Sequence, residues 1–211
     1  MSPKLELVTN FSEVDWVRTS LTEAHTNNSE ILSTVIPRGF ESYLSVRHLP
    51  KVLNRLVYSE FNFEKLLLIL KDYTDTPEEC FAAIWNGFGW SFEKNYPYLF
   101  QNKQKSFSGR VFRGREFNRF FEIPNRKYYL LKCPLFDTLK IGNSIANNLY
   151  CEPANMLWPK DRKWFVANEI DFDVFLIGGV ESLISEIEGN PLFVTERFTP
   201  GIWSDIYVSE D

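Results

Sequence analysis

A chain of 211 residues with 44% hydrophobic and 16% aromatic side chains has the length of one globular domain with a substantial core, and this composition excludes a disordered chain. No apolar run reaches the roughly 18 to 20 residues that cross a bilayer, and the start MSPKLELVTNFSEVDW lacks the basic and apolar blocks of a signal peptide, so a cytoplasmic protein with no membrane segment is expected. The net charge of −5 is unevenly spread: residues 1–100 carry 9 basic and 13 acidic side chains, 101–132 carry 9 and 2, and 152–211 carry 4 and 12. Such asymmetry points to a charged partner or to regions that face one another when folded.

Residues 1–38 are polar and weakly patterned and are expected to form a loosely packed N-terminal extension, with Ser12 capping a short helix and a loop at 26–29. FESYLSVRHL (40–49) alternates Phe40, Ser42, Leu44 and Val46, the period of a strand, and Pro50 ends it. FNFEKLLLILKDY (61–73) places Phe63, Leu66, Leu67 and Leu70 at helical spacing. TPEECFAAIWNGFGW (76–90) carries further helix signals: Thr76 as N-cap, Pro77 at the first position, Glu79 three residues past the cap, a stripe of Phe81, Ile84 and Trp85, and Gly87 as a stop.

Residues 106–113 and 127–133 read as strands, with a Pro-Asn turn at 124–125. PLFDTLKIGNSI (134–145) suits a short helix opening at a proline, and WFVANEIDFDVFLI (164–177) suits one long extended run. GVESLISEIEGNP (179–191) predicts a helix with Leu183, Ile184 and Ile187 inward, and LFVTERF (192–198) a last strand. With no repeat, low-complexity tract or linker, the expected fold is a single α+β domain over 1–211, mainly antiparallel sheet with a few packed helices.

The chemistry-bearing residues are few. Three cysteines (Cys80, Cys133, Cys151) with no C-x-x-C pair indicate small buried side chains rather than a disulfide framework or zinc knuckle. Only His25 and His48 are available to a histidine metal centre or a Ser-His-Asp triad. GGVES (178–182) and NGFGW (86–90) lack the features of a phosphate loop and read as turns.

WPKDRKWFVANEIDFD (158–173) is the most distinctive stretch. As a strand, 164–173 would set Trp164, Val166, Ile170, Phe172 and Val174 on one face and Glu169, Asp171 and Asp173 on the other. Alternate carboxylates stand about 7 Å apart, so two could share Mg²⁺ or Ca²⁺ with help from a loop. A solvated or ion-paired strand face gives the same string. Asp161 and Arg162 are adjacent and are expected to tie a turn to different neighbours, with Arg162 suited to a bidentate contact with Glu169 or Asp171. KQKSFSGRVFRGREFNRFF (103–121) interleaves cations with phenylalanines, as single-stranded nucleic acid would require, yet a strand with Arg outside and Phe inside gives the same pattern.

CFAAIWNGFGW (80–90) together with the 158–173 block and a following glycine pair resembles a family of uncharacterised bacterial proteins that share a W-P-x-D-R-x-W-x-V-A-x-E-I-D block. The resemblance covers scattered pieces of 38–195 and implies a bacterial cytoplasmic protein without assigning a reaction. The W-N-G-F-G segment is also faintly similar to immunity proteins of the SMI1/KNR4-like superfamily.

The expected function is that of a non-enzymatic binding protein of the immunity or antitoxin type, with a basic toxin domain as partner. Candidate binding residues are Trp158, Asp161, Arg162, Trp164, Glu169, Asp171 and Asp173, with no catalytic residue, metal or cofactor assigned. The alternatives are an enzyme using the acidic strand 169–173 and a nucleic-acid-binding module built on 103–121.

Overall fold

The computed structural model describes residues 5–22, 36–47, 55–86, 90–91, 98–99, 119–123, 126–145, 148–151, 153–168 and 174–200. Their strands are β1 (Glu6–Val8), β2 (Ser42–Arg47), β3 (Cys80–Trp85), β4 (Trp90–Ser91), β5 (Tyr98–Leu99), β6 (Phe121–Ile123), β7 (Arg126–Cys133), β8 (Gly142–Ile145), β9 (Asn148–Cys151), β10 (Met156–Pro159), β11 (Phe165–Asn168), β12 (Val174–Gly179) and β13 (Val194–Arg197). The helices are α1 (Asp15–Thr22), α2 (Arg55–Asp72) and α3 (Glu181–Glu188), with 3-10 turns at Phe11–Val14 and Leu135–Lys140. Nine strands form one sheet in the order β1-β7-β3-β10-β11-β12-β2-β13, with β6 also paired to β7, and every pairing is antiparallel. Two short ribbons, β4-β5 and β8-β9, complete an α+β fold.

The sheet is covered on both faces. On one face α2 contributes Phe63, Leu66, Leu67 and Leu70, and α3 contributes Leu183, Ile184 and Ile187. These seven pack on Leu44, Val46, Ala82, Leu157, Val166 and Ile177. On the other face Val14, Val17 and Leu21 cover Phe81, Leu130, Trp158, Phe165 and Leu176. Residues 5–22 are therefore built into the domain: β1 pairs with β7, and α1 closes the second core. The cap of the first 3-10 turn is Asn10, whose side chain accepts from Ser12 N at 3.2 Å, and not Ser12 itself.

The helix expected over 76–90 is a strand. Cys80 to Ile84 are all buried, with Cys80, Ala82 and Ile84 in the first core and Phe81 and Ala83 in the second. A strand buried on both faces has no polar side, so its apolar run imitates a helical stripe. Thr76 serves a turn, accepting Glu79 N through its carbonyl, while Gly87 lies outside the described residues.

The extended run 164–177 is likewise two strands. Phe165 pairs with Gly178 and Asn168 with Phe175, so the chain folds back between them. Val166 and Val174 consequently lie in different cores, which a continuous strand forbids for residues an even number apart. Residues 134–145 divide into the 3-10 turn and β8 rather than one helix. The expected strand at 106–113 lies outside the described residues.

The glycine pair before α3 is a packing device. A Cβ on Gly178 would come within 2.6 Å of the Phe40 ring and 3.0 Å of Tyr43, and one on Gly179 within 2.7 Å of Leu183 Cδ2. Gly178→Ala should destabilise the fold by about 1 to 3 kcal/mol, as overpacking does. Gly179→Ala should cost less, because the end of a leucine side chain yields more easily than two rings. Urea denaturation of both variants checks the order.

Candidate functional site

The 158–164 block forms the hairpin between β10 and β11. Asp161 is its anchor: its carboxylate accepts from Thr74 Oγ1 at 2.8 and 2.9 Å, from Asp75 N at 2.8 Å and from Lys163 N at 3.3 Å. Its own N–H donates to Thr76 Oγ1 at 3.2 Å. Lys163 reaches Asp75 at 2.6 Å, which raises the lysine pKa chiefly through that hydrogen bond. Lys160 and Lys132 converge on Glu79 at 3.0 and 2.6 Å, and their hydrogen bonds hold the Glu79 carboxyl below its usual range, Lys132 contributing more.

Arg162 turns the other way. Its φ of 58° is left-handed, a conformation that costs a residue with a Cβ roughly 1 to 2 kcal/mol. The guanidinium lies 5.3 Å from the Trp16 ring and 3.5 Å from Glu13. The two adjacent residues thus tie the turn to different neighbours, with Glu13 as the partner of Arg162. Glu169, Asp171 and Asp173 lie outside the described residues, as do His25, His48 and most of 103–121.

Trp158 and Trp164 are fully buried, one in each core. Trp164 Nε1 donates at 2.9 Å to Leu70 O, a carbonyl in the last turn of α2 that also accepts from Tyr73 N. Trp158 stacks between Phe81 and Phe165, with centroids at 5.8 and 5.6 Å, and Trp16 meets both Trp158 and Phe165 edge-on.

Burial pushes the Cys80 thiol up to about 12 and Cys133, its cross-strand neighbour, well above its ordinary value, so neither is a thiolate at neutral pH. Among the described residues no three His, Cys, Asp or Glu side chains form a metal-binding group, and no helix is long and apolar enough to cross a membrane.

A second cluster sits where α3 meets the edge strand β13, and the sequence reading did not single it out. Arg197 holds Glu181 at 2.7 Å and Glu188 at 2.8 Å, and Ser42 also donates to Glu181. Arg197 first, then Ser42 and Ser185, pull the Glu181 carboxyl down to about 2. The first N–H of α3 is capped by Glu41 at 3.0 Å. The segment that runs from the start of α3 into β13 also holds Val180, Leu192 and Val194, three of the four large apolar residues that the described chain leaves exposed. An Arg at the end of a predicted strand, nine and sixteen residues after two glutamates on a predicted helix, was the available signal. Comparison of the chain with protein-family models, with curated proteins and with solved structures gave no match.

Three outcomes test this geometry. Trp164→Ala should lose about 3 to 5 kcal/mol in denaturant titration, as large aromatic truncations in a core do. Arg162→Gly should be more stable than Arg162→Ala by about 1 kcal/mol, because only the backbone conformation separates them. The third outcome concerns acid. A folded-state pKa below the unfolded value gives stability that is present above the unfolded pKa and lost as pH falls through the folded one. The Glu181 contribution should therefore fade between its ordinary value of 4.5 and about 2. The stability gap between the parent and Arg197→Met, seen by thermal melts at pH 6, should close by pH 2; a gap that persists would show that the clamp is not electrostatic.

Proposed function

We propose that the protein is a non-enzymatic binding protein of the immunity or antitoxin type, which occludes a basic toxin domain with the corner formed by α3 and β13. The observation that carries this reading is that three of the four large apolar residues exposed among the described residues, Val180, Leu192 and Val194, fall in the one acidic segment that carries α3 and β13. Exposed apolar side chains set among charged ones are a composition found at protein-binding surfaces. Residues 152–211, which include this corner, hold 12 acidic against 4 basic side chains, and such a field speeds encounter with a basic partner. The cytoplasmic location expected from the sequence belongs to the same reading.

The test is co-expression with a basic toxin domain encoded beside the gene. Growth arrest should be relieved, and the two chains should co-elute as one complex. Leu192→Glu/Val194→Glu should weaken the complex at least tenfold, roughly 1.4 kcal/mol. Unrelieved arrest with separate elution would overturn the reading.

A further inference from the structure

We propose that β13 is a docking edge for an extended segment of a protein partner, which adds to the sheet as an antiparallel strand with a basic residue and an apolar residue two positions apart. This rests on the binding reading above and specifies its mode. β13 ends the sheet, and among the described residues no strand pairs with its outer side.

The ladder fixes which peptide groups face outward. Phe198 N donates to Tyr43 O at 3.3 Å, and the Glu196 carbonyl accepts from Ser45 Oγ at 3.1 Å, both on the β2 side. By the alternation of an antiparallel strand, Val194, Glu196 and Phe198 bond inward and Thr195 and Arg197 present N–H and C=O outward. Exposed edges are usually blunted by proline, lysine or a bulge. The four residues Val194–Arg197 contain no proline or lysine. Their two charges are already engaged, Arg197 with Glu181 and Glu188 and Glu196 with Arg47 at 3.9 Å. Pro191 and Pro200 bracket the edge and keep the addition short.

Side chains set the sequence of the incoming strand. Val194, half exposed at 50%, and Glu196 pair with Arg47 and Ser45 and so share the face away from α3. Directly opposed residues interact across strands. An antiparallel segment therefore needs Lys or Arg opposite Glu196 and, two residues later, a valine-like side chain opposite Val194. A second copy of this chain fits poorly. Self-pairing centred on Glu196 sets Glu196 against Glu196, and self-pairing centred on Thr195 sets Val194 against Glu196. A heterologous basic segment avoids both conflicts.

The test uses capped peptides of about seven residues, with threonines around a Lys-Thr-Val core, against controls with Glu for Lys or with the core reversed. Amide hydrogen exchange at Thr195 and Arg197 should slow by about tenfold or more with the Lys-Thr-Val peptide and remain unchanged with the controls. Thr195→Pro removes an outward N–H while leaving the bonds to β2, and it should abolish the protection. Glu196→Lys, which alters no backbone group, should transfer the preference to the Glu-containing peptide. Absence of protection at millimolar peptide, or protection indifferent to both variants, would overturn the proposal. Toxin neutralisation that survives Thr195→Pro would remove this docking mode while leaving the binding reading intact; peptide protection without neutralisation would do the reverse.

Discussion

A sheet buried on both faces is the constraint on which the rest of the molecule depends. Strands β3, β10, β11 and β12 lie between α2 and α3 on one side and α1 on the other, so both alternations of each strand must be apolar. Polar side chains are pushed to strand ends; the indole N–H groups of Trp16 and Trp158 are buried with no partner among the described residues, whereas the buried asparagines are satisfied. Asn155 accepts from Trp85 N and donates to Asn168 O, while Asn168 donates to Pro153 O. Leaving one such group unpaired would cost about 1 to 3 kcal/mol, comparable to several surface ion pairs. The close approach of Phe40 and Tyr43 on one side and α3 on the other is possible only because β12 ends in two glycines.

The hairpin at 159–164 joins the two layers around that sheet. Asp161 and Trp164 hold the C-terminal end of α2, on the first face, through Thr74, Asp75 and Leu70. Arg162 reaches across the strand tips to Trp16 and Glu13 on the second. The contributions are unequal. Trp164 is buried and hydrogen-bonded, whereas the Arg162–Glu13 pair is partly exposed and belongs to the class worth at most about 1 kcal/mol. The cation over Trp16 adds a similar amount and helps to offset the left-handed backbone at Arg162. Residues 158–165 of the most conspicuous stretch thus form a joint between layers, with Trp158, Trp164 and Phe165 inside and the charges of 160–163 spent on their own chain.

Legibility in the sequence followed the polarity of each element. Helices α2 and α3 and strands β2, β7 and β13 each coincide with a segment marked out from the sequence, because turn residues or a polar side mark their limits. β3 has no polar side, and Pro77 with Glu79 upstream supplied helix-start signals for what is a turn. The β11–β12 hairpin was hidden because its strands are of one apolar character and their reversal shows only in the pairing. The opposite destinations of Asp161 and Arg162 were expected from strand alternation, but both residues lie in the turn between β10 and β11, where that alternation does not apply. Their partners were not legible: Glu13 and Thr74 lie 149 and 87 residues away, and no local pattern encodes such contacts.

Burying the aromatics has a consequence for recognition. Tryptophan and arginine commonly anchor interfaces, but Trp158 and Trp164 fill the cores and Arg197 is clamped by two glutamates. What α3 and β13 offer instead is main-chain geometry, modest apolar contact and an ordered charge. Such a surface binds well only if it is rigid before the partner arrives, since ordering an edge on binding subtracts from affinity. The Arg197 clamp meets that requirement. It ties β13 to α3, and α3 is held in turn by Glu41 and by Ser42 of β2, closing a ring of contacts around the edge. Because Arg197, Ser42 and Ser185 pull the Glu181 carboxyl down to about 2, the Arg197–Glu181 ion pair is charged at neutral pH. The ion pairs at this corner thus hold Val194, Thr195 and Glu196 in one fixed register at the sheet edge.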